Sequence, residues 1–134
     1  MGAWGSKVFE NDDASDWLGA FESDGPPAIE AALQAVLELD ANDYVQATEA
    51  AAALAAAEVV AAAKDGEVAR LPEEAHGALL EHRDAVNDSE FGKRAQRAVQ
   101  RIKRNSELKD LWDESGDAEA WSDELLELLE RLKG

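Results

Sequence analysis

The sequence predicts an all-α protein, a compact bundle of about six or seven short helices around a central alanine-rich helix. Apolar residues recur at helical spacing along most of the chain. Proline, glycine and polar turn residues separate these segments, and no run of alternating β-branched residues predicts a strand. No repeat or long linker divides the sequence, so we expect one domain over residues 1–134.

The first two helices are predicted on either side of the sequence Asp24-Gly25-Pro26-Pro27. Asn11 is a candidate N-cap of the first helix, and the three aspartates that follow suit a positive helix start. Pro27 is placed to open the second helix. Each helix carries a stripe of apolar side chains expected to be buried: Ala14, Trp17, Leu18 and Phe21, then Ile29, Leu33, Val36 and Leu37.

The third helix is predicted over residues 46–64 and ends at Gly66, a usual terminating residue. Because it is nearly all alanine, neighbouring helices can approach it closely, and we place it at the centre of the bundle. Glu49 and Glu58 lie nine residues apart and therefore on opposite sides of this helix. They cannot share one solvent face, and we predict that Glu58 points into the protein.

Four further helices are predicted in the second half of the chain. Leu71-Pro72 opens the fourth, and Asn87 with Glu90 resembles a capping box before the fifth. Asn105-Ser106 interrupts the apolar phase, so a short sixth helix is expected before Gly116. Asp117 can cap the last helix. Its apolar stripe is the clearest in the chain: Trp121, Leu125, Leu128, Leu129 and Leu132.

Composition narrows the function without identifying it. The formal net charge of −17 disfavours binding to nucleic acid or anionic lipid and favours basic protein partners. The alternative is that the charge only reflects solubility or habitat. The absence of cysteine excludes disulfides, thiol catalysis and sulfur-ligated metals. No apolar run approaches the roughly 18 residues of a membrane helix, and no leader is evident, which predicts a cytoplasmic protein.

The N-terminal sequence resembles a known family. The residues that carry the resemblance are Met1 to Gly5, Phe9 to Asp12, Ala14, Asp16-Trp17, Ala56 to Val60, Ser106 to Leu108, Leu111-Trp112 and Trp121. They are similar to the uncharacterised bacterial family catalogued as domain of unknown function 4259. Ser6-Lys7 stands where many members have a glycine. Because the family has no assigned activity, the resemblance implies none. Its motif residues are expected to be structural: Trp4, Phe9, Asn11, Asp12, Asp16, Trp17, Glu58 and Trp112.

Carboxylates are the first candidates for chemistry. Asp12, Asp13 and Asp16 with Glu58 would suit a hard cation such as magnesium, but a helix cap and a solvated face explain the aspartates without metal. A buried Glu58 needs a partner, which would be an arginine, a tryptophan N–H or the backbone amides of Trp4-Gly5. Such a pairing would pin the N-terminal arm to the core. The catalytic alternative is a general base in a pocket.

The other polar candidates favour structural interpretations. His76 and His82 lie about 240° apart on a helix and cannot chelate together, so we expect an exposed His76 and a His82 packed at the edge of the core. The serines and glycines form no catalytic or phosphate-binding motif. We therefore predict no cofactor or metal.

Basic residues and tryptophans complete the list of candidates. The cations of the fifth helix would suit phosphate, but in so acidic a chain we expect them to act as internal counter-charges docked near the first or last helix. These are Lys93, Arg94, Arg97, Arg101 and Arg104. Trp17, Trp112 and Trp121 are expected in the core. Trp4 either fills a gap between helices or anchors a partner, and the core is the preferred interpretation.

The best functional hypothesis is an acidic protein-interaction module, regulatory or immunity-like, that performs no catalysis and binds another protein, with a basic partner favoured. It predicts an exposed apolar or acidic patch around Trp4 or the last helix. The alternative is a metal-dependent or carboxylate enzyme that uses Glu58 with nearby acids. The third hypothesis is an accessory protein whose charge reflects its habitat.

Overall fold

The computed structural model describes residues 12–40, 42–67 and 71–133. Within these ranges the chain forms seven α-helices and no strand, which confirms the predicted fold class. The helices are α1 (Asp12–Asp24), α2 (Pro26–Leu37), α3 (Ala47–Asp65), α4 (Glu73–Val86), α5 (Ser89–Arg104), α6 (Glu107–Ser115) and α7 (Ala118–Lys133). Trp4, Phe9 and Asn11 lie outside the described residues, so the expectations for them stay predictions.

The alanine-rich helix α3 lies at the centre, as predicted. It packs against all six other described helices, and 13 of its 19 residues are buried, so no side of its middle turns faces solvent. Alanine makes this arrangement possible because its short side chain lets six neighbours approach one backbone. Although α3 is long and apolar, no helix in the described ranges meets the requirements of a membrane span.

Side chains from other helices satisfy both ends of α3. Its N-cap residue, Gln46, makes no side-chain cap bond. Instead the Ala47 N–H donates to Glu107 Oε1 at 2.8 Å, while the Glu107 N–H donates to the Val45 carbonyl at 2.8 Å. At the other end Arg83 Nε donates to the Ala63 carbonyl at 3.2 Å. A carboxylate at the N-terminus and a guanidinium at the C-terminus both match the helix dipole.

Arg101 fixes the connection between α2 and α3. Its guanidinium is buried and donates from Nη2 to the carbonyls of Asp40 at 2.8 Å and Asp43 at 2.6 Å. A longer bond of 3.5 Å runs from Nη1 to the Leu39 carbonyl. One side chain of α5 thereby satisfies several carbonyls that no helix could satisfy.

Helix boundaries agree with the sequence to within a residue or two. α3 ends at Gly66 and α6 ends at Gly116, and both glycines adopt the left-handed conformation expected at a helix end. The capping box proposed at Asn87 was wrong. The N-cap of α5 is Asp88, whose side chain accepts from the Glu90 N–H, because helical geometry begins one residue later.

The predicted apolar stripes form one core, against which Leu37 packs only partly buried. Trp17, Trp112 and Trp121 are all buried, as expected. The polar atom of the buried Trp17 has a hydrogen-bond partner, because its indole N–H donates to the Ala28 carbonyl at 3.1 Å. The Trp17 ring also stacks on Phe21. This contact joins α1 to α2 across the turn between them.

The two histidines lie in different surroundings. His82 covers the α1–α2 turn at Gly25, where φ is +70° and an added Cβ would lie 2.8 Å from His82 Nε2. Its side chain is 33% exposed, which agrees with a position at the edge of the core. His76 is half-buried rather than exposed, because its ring nitrogen is hydrogen-bonded to the Leu71 carbonyl at 3.0 Å.

Candidate functional site

Glu58 is buried in the middle of α3, as its helical position predicts. Its relative exposure is 4%, the lowest among the buried charged residues. One partner is an arginine, Arg131 of α7, whose Nη1 donates to Glu58 Oε1. This is one of the partners that the sequence analysis left open. The alternative in which Glu58 holds Trp4-Gly5 concerns residues outside the described ranges.

Arg131 joins the C-terminal turns of α3 and α7. Its Nε donates to Asp65 Oδ2 at 2.7 Å, and Glu67 Oε2 lies 3.9 Å from the same nitrogen. Burial of the guanidinium disfavours its charge, but the hydrogen bonds to Asp65 and Glu58 outweigh that effect. The pKa of Arg131 therefore lies above its ordinary value. The guanidinium stays charged and fixes α7 against α3.

Two further side chains hold the end of α7. Lys64 Nζ donates to the Leu132 carbonyl at 2.9 Å, and Gln96 Nε2 donates to the same oxygen at 3.4 Å. Carbonyls in the last turn of a helix have no partner within the helix, so these donors from α3 and α5 replace water there. Together with Arg131 they form a polar clamp around the last turn of α7.

The surroundings of Glu58 suit a structural ion pair better than a general base. A general base must lie within hydrogen-bond reach of a substrate proton. The Glu58 side chain is only 5% exposed, and its carboxylate is paired with the guanidinium of Arg131. A surface concavity of about 250 Å³ lies between α1 and α4, somewhat below the usual size of a ligand site. Glu58 is not among its lining residues, which are Ser15, Leu18, Gly19, Glu22, Pro72 and Glu74.

The predicted acid cluster is not assembled in the described residues. Asp12 and Asp16 lie exposed on α1, whereas Glu58 is buried on α3. In residues 12–40, 42–67 and 71–133 no group of three or more acidic or histidine side chains converges in a way that would hold a metal ion. Trp17 and Trp112 belong to the core. The family-motif residues are thus distributed over several helices.

The outer side of α7 presents carboxylates around an exposed leucine. Glu119, Asp123, Glu127 and Glu130 are exposed and are called the acidic face below. Leu126 lies beside Asp123, Glu127 and Glu130 on the same side of the helix and is 48% exposed. A single exposed leucine is common at protein surfaces, and Leu80 of α4 is exposed as well, so Leu126 matters here only as the apolar side chain within the acidic face.

A second acidic area surrounds Tyr44, just before α3. The Tyr44 hydroxyl donates to Asp110 Oδ2 at 2.5 Å, and its ring is 49% exposed. The hydrogen bond to Asp110 and the nearby charges of Glu107 and Glu114 all disfavour a phenolate. They raise the pKa of Tyr44 to about 12. No local pattern indicates this pair, because its members lie 66 residues apart.

Tyr44 is the only tyrosine, so its titration can be followed directly by the absorbance of the ionised phenol. We expect a midpoint near pH 12 in the native protein and a midpoint closer to the ordinary 10 in Asp110→Asn. Because the native state favours the protonated phenol, this contribution to stability is complete below pH 10 and is lost between about pH 10 and 12. Asp113→Asn is the matched control and should leave the midpoint unchanged. Equal midpoints in native protein and Asp110→Asn would contradict the assignment.

The basic residues of α5 correct one prediction. They do not dock on the first or last helix. Arg94 instead reaches α2, donating to Gln34 and lying 3.9 Å from Glu30, and Arg101 holds the loop after α2. α5 packs against α7 as well as against α2 and α3, but Arg94 and Arg101 lie on the side of α5 that faces α2 and the loop after it.

Four cations of α5 are left without a partner in the described residues. The other cations there each make a hydrogen bond or ion pair, to Leu132, Ala63, Gln34, Asp40, Asp113, Glu58 or Glu130. The four are Lys93, Arg97, Lys103 and Arg104. Lys93, Arg97 and Arg104 are exposed and are called the basic line below.

The described residues thus define an all-helical protein whose buried carboxylate is part of a structural ion pair. The chain belongs to the family described as Domain of unknown function (DUF4259), whose model matches residues 2–124. The match ends within α7, before Arg131. No curated protein and no solved structure gave a significant match to the chain.

Proposed function

We propose that this protein is a protein-interaction module that binds a basic partner through the acidic face of α7. The observation that carries the proposal is Leu126, which is 48% exposed between Asp123, Glu127 and Glu130. An apolar side chain inside a ring of carboxylates offers both contact area and charge. The fitting partner presents an apolar side chain, or the aliphatic part of a longer one, flanked by lysines or arginines.

The charge and the leucine have different roles in such a contact. Carboxylates on one face attract a basic partner and accelerate its association. They give little specificity, since exposed ion pairs contribute roughly 0–1 kcal/mol each. Burying Leu126 on binding adds apolar contact at a defined place, which is how interface anchors act. The pair of features therefore supports recognition better than acidity alone.

The enzyme alternative has less support. It requires a substrate to reach Glu58, and Arg131 and the surrounding core occupy the space around that carboxylate. The habitat explanation accounts for the acidity and predicts that no partner binds through α7.

Affinity capture from an extract of the native host tests the proposal. The bait is the native protein, compared with the double variant Leu126→Lys/Asp123→Lys. The matched control is Leu80→Lys/Asp84→Lys, which makes the same exchange on α4, where Leu80 is 66% exposed. We expect basic proteins that the native bait and the α4 control retain at physiological salt and that the α7 variant loses.

High-salt washes separate the two contributions. A partner that leaves the native bait at high salt and also fails to bind the α7 variant is held through the acidic face. If the α7 variant and the α4 control retain the same proteins as the native bait, the proposal is wrong.

A further inference from the structure

We propose that a second copy of this chain is a partner of the acidic face, and that it docks through the basic line of its α5. This inference rests on the proposed function, because it names one partner for the same surface. The partner needed is a helix that presents cations in a row. The described residues contain such a row in Lys93, Arg97 and Arg104.

The two surfaces have the same spacing. The cations lie at positions 93, 97 and 104, and the carboxylates of Glu119, Asp123 and Glu130 lie at i, i+4 and i+11 in the same way. At 3.6 residues per turn, each set falls within an arc of about 40° on its helix and extends over about 16 Å. Each row is therefore a narrow, straight line of charge along an exposed helix.

One register brings the two rows together. Side by side and parallel, α7 of one copy and α5 of the other pair Glu119 with Lys93, Asp123 with Arg97, and Glu130 with Arg104. The same register places Leu126 opposite Gln100, which is exposed in the gap of the basic line. The leucine can then pack on the aliphatic part of the glutamine side chain.

The unpaired state of the basic line supports an external partner. The chain has 30 acidic residues for 13 lysines and arginines, so a cation has many potential partners within the molecule. The basic line nevertheless makes no ion pair with a described residue, whereas the cations of α6 and α7 form ion pairs. Three aligned exposed cations are complementary to a carboxylate row and lie too far apart to bind a single small anion.

A short acidic helix fits the basic line better than a nucleic acid does. A nucleic acid longer than about 16 Å would extend beyond the line onto the surrounding acidic surface, where its phosphates are repelled. No exposed aromatic side chain of α5 is available for base stacking, because Phe91 is partly buried against the core. An acidic helix of a partner can place all its carboxylates opposite the basic line, within about 16 Å, and leave the surrounding acidic surface uncontacted.

The association is head-to-tail and weak. Each copy uses α7 toward one neighbour and α5 toward the other, so the contact is heterologous. Two molecules of net charge −17 also repel each other. At physiological ionic strength the Debye length is about 8 Å, so the paired rows still attract at contact while more distant charges are screened. We expect reversible, concentration-dependent self-association and not a permanent dimer.

Sedimentation velocity over a concentration series into the millimolar range tests the inference. The native protein should show a sedimentation coefficient that rises with concentration. Two variants reverse the charge of one row each: Lys93→Glu/Arg97→Glu/Arg104→Glu and Glu119→Lys/Asp123→Lys/Glu130→Lys. Each should remain monomeric alone, because both of its rows then carry the same charge. An equimolar mixture should form complexes that contain both variants, because each row of one variant is complementary to a row of the other.

A charge-matched control accompanies these variants. Glu73→Lys/Glu81→Lys/Asp84→Lys changes the net charge as the α7 variant does, but on exposed positions of α4. It should self-associate like the native protein. All the substituted side chains are exposed, and circular dichroism verifies that each variant is folded.

The outcomes separate this inference from the proposed function. A native protein that stays monomeric, or two row variants that do not combine, overturns the inference. If a basic host protein is still captured through Leu126, the proposed function stands without it. Binding of a single-stranded oligonucleotide that the α5 variant loses would assign the basic line to nucleic acid and would also overturn the inference.

Discussion

Replacement of Arg131 by alanine is expected to lower the free energy of unfolding by about 3 kcal/mol, because it leaves the carboxylate of Glu58 buried without its guanidinium. The same change removes the hydrogen bond to Asp65. For a chain of this size the loss corresponds to a decrease in Tm of about 10 °C. Thermal and urea unfolding followed by circular dichroism measure both quantities.

A compensating double variant identifies the cause. In Glu58→Leu/Arg131→Met the charged pair is replaced by apolar side chains, so we expect stability within about 1 kcal/mol of the native protein. Lys133→Ala, which removes an exposed cation two residues away, is the control and should have little effect. If Arg131→Ala is as stable as Lys133→Ala, the ion pair does not hold α7 in place.

Replacement of Ala57 by leucine is expected to cost about 3 kcal/mol. Ala57 is fully buried on α3, where helices pack on every side, and no space is left for a larger side chain. Leucine is as good a helix former as most residues, so the loss arises from packing rather than from helix propensity. Urea unfolding measures the change.

The matched control is Ala120→Leu on α7, at an exposed position. It makes the same substitution in a helix and should change stability by less than about 0.5 kcal/mol. Equal losses of stability in Ala57→Leu and Ala120→Leu would show that the centre of the bundle accommodates a larger side chain, contrary to the close packing around α3.

Local patterns made most of the fold predictable. The burial of Glu58 follows from its position opposite Glu49 on one helix, and the end of α3 follows from Gly66, since both depend only on residues within a few turns. The acidic outer side of α7 could be predicted in the same way. The exposure of Leu126 could not be predicted, because this residue lies just outside the main apolar stripe. Only the structure shows how much of its side chain is exposed.

Pairings between distant segments could not be predicted. The periodicity of α5 indicates which side carries cations but not which helix accepts them, and Arg94 reaches α2 across 60 residues. Arg131 gave no sign of its role because its neighbours in sequence are the leucines and acids of α7. The sequence therefore predicts that Glu58 is buried, but it does not predict which residue pairs with it.

The contacts at the ends of α3 also bear on the order in which a ribosome delivers this chain. α1 and α2 are translated before α3, but the side chains that bond to its first turn and to its buried carboxylate come later. Glu107, which accepts from the Ala47 N–H, follows it by 60 residues, and Arg131, which donates to Glu58, follows it by 73 residues. An alanine-rich segment can be helical while it waits. The ion pair between Glu58 and Arg131 can form only after almost the whole chain has been translated. The complete tertiary fold consequently forms late in translation, around a helix that can form early.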